Sequence, residues 1–327
     1  MEKKGVIFSG IQPSGMIHLG NYLGAIKNWV KLLDAYDAIF CVVDYHAITQ
    51  PYETKEMQAR IFDAARVNIA SGLDPDRCTL FVQSRVPEHT ELAWILNCVT
   101  AVGDLERMTQ YKEKSKQHAG MVNAGLLNYP VLQASDILLY KAVGVPVGED
   151  QAQHLEFCRD LARKFNRRFG DTFPVPDTMF GQTLKVLGTD GKHKMSKSMD
   201  NFLGVLEDED VLWEKLRTSV TDEARKRRSD PGDPGRCNLY TMHLGISPEE
   251  VCRQVDHDCR NAKIGCVDCK KILFEHLMKD LEPIREKADQ LSRQPEKVQQ
   301  ALEDGAARCK SLAEKTLEEV RAKIGLR

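Results

Sequence analysis

No apolar run in this 327-residue chain approaches the roughly 18 residues of a membrane span. Met1-Glu2-Lys3-Lys4-Gly5 leads straight into a strand-like run, which leaves no room for a secretion signal. A cytoplasmic protein with no membrane partner is therefore expected. Neither sign of charge dominates: 46 Lys and Arg stand against 48 Asp and Glu, a formal net charge of −2. Bulk electrostatics thus announces no nucleic-acid binder, and a polyanion would have to be met by local basic patches. No internal repeat or low-complexity tract is present. What remains is an ordinary globular balance, 42% apolar and 29% charged, with chain enough for about two domains. Ten cysteines would suit disulfides in a small secreted protein. In a reducing compartment, clustered cysteines are more often metal ligands.

Val6-Ile7-Phe8, closed by Ser9-Gly10, has the pattern of a buried strand, and Ala38–Val43, Thr79–Gln83 and Val143–Val147 repeat it. Helical periodicity lies between them. Leu19, Tyr22, Leu23, Ile26, Val30 and Leu33 fall mostly three or four apart; Thr54–Ser71 ends at Gly72; Asp150–Phe169 continues the alternation. Strands alternating with helices predict an α/β fold on a parallel sheet. From Leu206 onward the patterns are helical, apart from the Asp-Pro-Gly-Asp-Pro-Gly loop at 230–235. The expected plan is a nucleotide-binding α/β domain over 1–190, then a lysine-bearing loop and a mainly helical domain over 191–327. The boundary is soft, because the C-terminal part is free to pack back on the first.

Ligands of open parallel sheets bind beyond the carboxyl ends of the strands, where Ser9–Asn21 falls. Gly10, Gly15 and Gly20 let backbone approach a phosphate or base, and the helix starting near Gly20 offers unpaired N–H groups to an anion. His18 adds a donor for charge developing on a phosphate. Downstream, Lys194-Met195-Ser196-Lys197-Ser198 places two ammonium groups and two hydroxyls on one loop, a means of neutralising departing pyrophosphate. Gly191 suits a loop that closes over its ligand. Gly148-Glu149-Asp150-Gln151 follows a strand. Gly148 permits close approach to adenosine, and Asp150 either accepts from ribose hydroxyls or caps the next helix. Each segment alone also fits a bland role, as a glycine-rich turn or a solvated lysine loop. Taken together and in this order, His18-Leu19-Gly20-Asn21 and Lys194–Ser198 resemble the two signature motifs of class I aminoacyl-tRNA synthetases.

Four further segments narrow the resemblance: Phe8-Ser9-Gly10-Ile11-Gln12-Pro13-Ser14-Gly15, Val43-Asp44-Tyr45-His46-Ala47-Ile48-Thr49, Glu106-Arg107-Met108-Thr109-Gln110-Tyr111-Lys112-Glu113-Lys114, and Ser135-Asp136-Ile137-Leu138-Leu139-Tyr140. They resemble bacterial tryptophanyl-tRNA synthetases from about residue 5 to the C-terminus. The resemblance implies a Rossmann-like catalytic domain, a helical anticodon-binding domain and a homodimer. It also implies the reaction: tryptophan and ATP, with Mg²⁺, give tryptophanyl-AMP and pyrophosphate, and the acyl group passes to the terminal ribose 2′-hydroxyl of tRNA(Trp). A tyrosyl-type enzyme and a non-catalytic tRNA-binding relative are the alternatives.

By the same resemblance, Asp136 accepts the indole N–H, and Phe8, Val145 and Val147 are apolar pocket walls. Tyr129, Gln151 and His46 face the substrate's ammonium and carboxylate. Gln12 lies beside the activated carboxylate. Lys114, Lys194 and Lys197 hold the ATP phosphates as catalytic residues. Ser14, His18, Gly20, Asn21, Gly148, Asp150, Gln151, Met195 and Ser196 complete the ATP site. Two positions depart from the family pattern: Gln133 stands where many relatives carry Met against the indole, and His18 where many carry Thr. Indole has one donor and no acceptor, so a buried acceptor at Asp136 would disfavour phenylalanine by about 1–3 kcal/mol. Without the resemblance, a carboxylate paired within its helix is the simpler reading.

Cys237, Cys259, Cys266 and Cys269 follow the spacing Cys-x21-Cys-x6-Cys-x2-Cys, with Cys252 between them as an alternative ligand. Four thiolates suit either tetrahedral Zn²⁺ or a 4Fe–4S cluster. The spacing resembles a minority of tryptophanyl-tRNA synthetases that hold a 4Fe–4S cluster near the anticodon-binding region. Cys41, Cys78, Cys98, Cys158 and Cys309 read as core residues. Arg225-Lys226-Arg227-Arg228, the densest basic run, either tracks tRNA phosphates or is a solvated helix end.

Overall fold

Strands β1 (Val6–Ile11), β2 (Asp37–Val42), β3 (Thr79–Val82), β4 (Gly144–Val147) and β5 (Asp177–Phe180) form one parallel sheet in the order β3-β2-β1-β4-β5. The computed structural model describes residues 3–13, 15–112, 122–148, 151–180, 186–196 and 199–326. The sheet is Rossmann-like, and its strand order reverses between β1 and β4. Successive side chains of a strand point to opposite faces, and the packing follows that rule. Along β2, Ala38, Phe40 and Val42 enter one apolar cluster, while Ile39 and Cys41 enter the other. Burial on both faces explains why these strands read as unbroken apolar runs rather than alternating ones. β5 is not announced by the pattern, being four residues that follow Pro174 and Pro176.

One face carries α1 (residues 19–32, π-helical over Tyr22–Ile26) and α3 (Thr54–Ala70), which ends at Gly72 with φ +110°. The other carries α4 (Glu88–Asn97), α6 (Ala124–Leu138) and α7 (Ala152–Phe169). The short helices α2 (Asp44–Ala47) and α5 (Val102–Glu106) also lie in the first part of the chain. Among the described residues, five α-helices follow: α8 (Glu209–Thr218), α9 (Asn238–Ile246), α10 (Glu249–Arg260), α11 (Cys266–Arg293) and α12 (Pro295–Ile324). Leu212, Met242 and Leu277 from these helices share one apolar cluster with Ile7 and Phe40 of the sheet. α12 starts in that cluster at Val298, crosses beside edge strand β3, and places Cys309, Ala313 and Leu317 in the cluster on the opposite face.

Two expectations are corrected. Cys98 is exposed, not a core residue, because it caps the C-terminal end of α4 at the surface. The basic run is no helix end: residues 225–228 lie in irregular structure, and Arg225 points inward to donate to the carbonyls of Arg228 and Ile264 at 2.7 and 2.8 Å.

Candidate active site

β1 and β4 share a single register pair, Ile7 with Gly144, and then diverge. Beyond it the Pro146 carbonyl accepts from Ser9 Oγ at 3.0 Å and from Trp29 Nε1 at 3.3 Å. Side chains thus satisfy a carbonyl that the ladder leaves open. The crevice between the diverging ends is a cavity of about 400 Å³, the place expected for a ligand at a strand-order reversal. Phe8, Gln12, His46, Tyr129, Gln133, Asp136, Val145, Val147 and Gln151 all line it, together with Gly148. Trp29, Thr49 and Gln110 line it too; Thr49 and Gln110 belong to the segments that carry the resemblance, without an assigned site role. Trp29 looks like any buried aromatic in α1, stacked on Phe40 with centroids 5.0 Å apart.

α6 delivers Tyr129, Gln133 and Asp136 at helical spacings of four and three, on one face. Asp136 is 1% exposed. Its Oδ1 accepts from Gln83 Nε2 at 2.7 Å and from His89 Nδ1 at 2.6 Å, and its Oδ2 pairs with His46 Nε2 at 2.8 Å. Burial alone would push this carboxyl up, but the hydrogen bonds from His46 and His89 hold it below the ordinary carboxylate range. With Nδ1 facing a carboxylate, His89 donates a proton there, and its Nε2 lies 2.7 Å from Tyr140 Oη. Gln83 and His89 escaped the sequence reading, since they reach Asp136 only through tertiary packing. Tyr129 Oη donates to Gln110 Oε1 at 3.2 Å and lies 2.7 Å from His154 Nε2.

The nucleotide side adjoins this cavity. His18 precedes α1 as its cap: Asn21 N–H donates to His18 Nδ1 at 3.3 Å, and His18 N–H donates to Asn21 Oδ1 at 3.2 Å. Because Nδ1 accepts, the ring proton sits on Nε2, leaving an N–H to offer. Burial lowers the His18 pKa to about 4, so the ring is neutral near pH 7. His18 bridges Gly204, and Leu19 N–H donates to the Leu203 carbonyl at 2.8 Å, which ties the cap to the segment following the lysine loop. Leu187 and Lys194 pair as the legs of a hairpin, and Gly191 takes φ +65° at its turn. That left-handed backbone gives Gly191 a definite conformational task. Met195 is buried beside Gly20, while Lys194 is exposed. Asn201 Oδ1 accepts from Ser196 N–H at 2.7 Å, and its Nδ2 donates to the Lys194 carbonyl at 3.1 Å. Ser14, Lys114, Asp150 and Lys197 lie outside the described residues.

The four spaced cysteines come together where α9, α10 and α11 meet: Cys237 caps α9, Cys259 is near the end of α10, and Cys266 and Cys269 open α11. Burial pushes the Cys269 thiol up to about 12, and Cys237, Cys259 and Cys266 add to the rise by charge repulsion. Gly232 lets its backbone pack against this group, since a Cβ on it would stand 2.5 Å from Cys259 Sγ. Arg225 Nη1 lies 3.8 Å from Cys259 Sγ, and His243 Nε2 3.5 Å from Cys269 Sγ. Cys252 faces elsewhere, toward the carbonyl of His243 at 3.3 Å. Among the described residues, no three His, Cys, Asp or Glu side chains are gathered closely enough to hold a single metal ion.

Residues 1–282 match the family described as tRNA synthetases class I (W and Y). A tryptophan–tRNA ligase of Deinococcus radiodurans is 50% identical over 324 residues, 98% of each chain. A tryptophanyl-tRNA synthetase from Campylobacter jejuni, solved in complex with ADP and tryptophan, superimposes with a TM-score of 0.86 at 33% identity, covering 98% of this chain and 99% of that one. The Mycoplasma pneumoniae tryptophanyl-tRNA synthetase gives 0.87 at 32% identity, covering 100% and 99%.

Proposed function

The chain belongs to the class I tRNA synthetases for tryptophan and tyrosine, and on that premise we propose that Asp136 selects the amino acid in the cavity between β1 and β4. The activity is that of a tryptophan–tRNA ligase: it activates tryptophan with ATP and esterifies tRNA(Trp). One observation carries the proposed selection. An ionised carboxylate has about four acceptor sites, and Gln83, His89 and His46 take three of them. One remains on Oδ2, in a carboxylate that borders the cavity. The indole N–H supplies one donor and needs no acceptor in return. Phenylalanine would leave that site unmet in a dry pocket. The test is ATP–pyrophosphate exchange with tryptophan, tyrosine and phenylalanine. Tryptophan should lead by at least about fivefold, the lower end of what an unmet buried group costs; dominant tyrosine activity would replace this reading with the tyrosyl one.

In the first step the tryptophan carboxylate attacks the α-phosphate, and the neutral Nε2–H of His18 faces charge developing there. The hairpin bearing Lys194, with Lys197 and Lys114, meets the pyrophosphate, and Mg²⁺ accompanies ATP. Positioning and electrostatics carry such a reaction without a covalent protein intermediate.

The reading extends to a 4Fe–4S cluster on Cys237, Cys259, Cys266 and Cys269. The donor set fits: four mutually interacting thiols, with an Arg225 N–H directed at the Cys259 sulfur and His243 Nε2 beside the Cys269 sulfur. A lone Zn²⁺, with Zn–S near 2.3 Å, would need tighter convergence. Such a cluster serves structure or electron transfer, and activation requires neither. Broad visible absorbance and about four irons per chain in anaerobically purified protein would support it; a colourless, zinc-bearing protein would overturn it. Exposed Lys226 and Arg227 beside this region are the proposed tRNA phosphate contacts. A homodimer joined through the face around Trp94, acting in the cytoplasm where its tRNA is charged, completes the proposal.

A further inference from the structure

Asn238 is the first residue of α9 and follows Cys237 directly. Its side chain does not serve its own helix. Oδ1 accepts from Leu187 N–H at 2.9 Å, and Nδ2 donates to the carbonyls of Leu187 and Gly188, each at 3.0 Å. The amide therefore grips the hairpin backbone as a neighbouring strand would. Leu187 is the residue bridged to Lys194, and Gly188 N–H donates to the His193 carbonyl at 2.8 Å. The grip thus falls on the root of the loop that carries the ATP lysine. Asn201 fastens the same hairpin from within the adjoining segment, whereas Asn238 reaches it across 51 residues from the cysteine-bearing region.

We infer that Asn238 is a positioning residue for the ATP step, and that through it the hairpin takes its placement from the segment holding Cys237. Only an amide serves all three contacts, because the backbone there presents one donor and two acceptors. Asp keeps the acceptor but turns a charge on two carbonyls, and Ala removes every contact. The first part stands on these hydrogen bonds alone; the second rests on the reading that Cys237 is a cluster ligand.

The experiment compares wild type, Asn238→Ala and Asn238→Asp in ATP–pyrophosphate exchange, with hydrogen–deuterium exchange of the peptide spanning 187–196. KM for ATP should rise at least about tenfold in Asn238→Ala, the lower end for losing three ordinary hydrogen bonds that favour the binding-competent loop. It should rise further in Asn238→Asp, while KM for tryptophan stays within about twofold and the peptide exchanges faster. An unchanged KM for ATP, or parallel rises for both substrates, overturns the positioning role. For the second part, iron is stripped from the wild type with ferricyanide and EDTA. Faster exchange at 187–196 and a raised KM for ATP are expected in wild type, with no added effect in Asn238→Ala. Iron loss without change at the hairpin overturns the coupling. Protein that never contains iron overturns the cluster reading, and leaves the first comparison to decide Asn238 by itself.

Discussion

His89 Nδ1 lies 2.6 Å from Asp136 Oδ1, with His89 fully buried and the Asp136 side chain only 2% exposed where it borders the cavity. A carboxylate so enclosed is kept ionised by the N–H groups around it, and any change that turns a donor toward them is felt twice. Asp136→Asn is nearly isosteric, yet it must point an NH₂ at His46 or at the Gln83–His89 pair. Stability should fall by about 3 kcal/mol, the upper end of the cost of leaving buried polar groups mispaired. The kcat/KM for tryptophan should fall about 100-fold, as a site loses its match to a substrate N–H. Urea denaturation and pyrophosphate exchange measure the two separately, and full retention of both would remove Asp136 from its assigned role.

The pKa of His18, lowered by burial to about 4, fixes the sign of a pH effect. Between about 6.5 and about 4 the unfolded chain binds the proton and the folded chain does not. The contribution of His18 to stability is therefore complete above pH 6.5 and declines as pH falls toward 4. KM for ATP should be flat from about pH 6 to 8, since the donor on Nε2 persists throughout that range. An NMR titration of the ring with a midpoint near 6.5 would refute this. His18→Ala should lower kcat about 100-fold, in the range for removing one donor to developing charge.

The sheet was legible because its strands are buried on both faces, and apolar runs such as Ala38–Val43 need no periodicity to be seen. The cavity was legible through short contiguous motifs that carry Phe8, His46, Asp136 and Val147 to one place. What escaped is what tertiary packing decides. His89 and Gln83 meet Asp136 across 47 and 53 residues. Asn238 has no local signal for a hairpin fifty residues away. Arg225 belongs to a basic run, but its two carbonyl acceptors and Cys259 turn it inward. Four residues of β5, following two prolines, carry too little pattern to compete with a loop.

Trp94 is 71% exposed on α4. It borders a groove of about 410 Å³ with Tyr45, Ile48, Ala93 and Leu132. A large aromatic left in water beside other apolar groups marks an association surface. If this face joins two protomers, Trp94→Asp should weaken the dimer about 30-fold, matching the roughly 2 kcal/mol of an aromatic anchor. Sedimentation velocity across a concentration series reads that shift. A wild type that stays monomeric at high micromolar concentration, or a variant that dimerises as tightly, would discard the face.

Gly305 in α12 lies against edge strand β3 so closely that a Cβ there would stand 2.0 Å from the Leu80 carbonyl oxygen. No rotamer relieves that contact, because both partners are backbone. An open strand edge invites pairing with other chains, and covering it with a helix is one remedy. The absence of a side chain at 305 lets α12 come near enough to do so. Gly305→Ala gains helix propensity of about 1 kcal/mol, yet it must push the helix off the strand and loosen Cys309, Ala313 and Leu317 from the core. Overpacking of this kind costs about 1–3 kcal/mol or more, so net destabilisation is expected despite the better helix former. Faster hydrogen exchange should appear in β3 and over 298–317 before it appears in β1. Thermal unfolding gives the sign. A variant as stable as wild type, with β3 equally protected, would mean that α12 does not hold the edge.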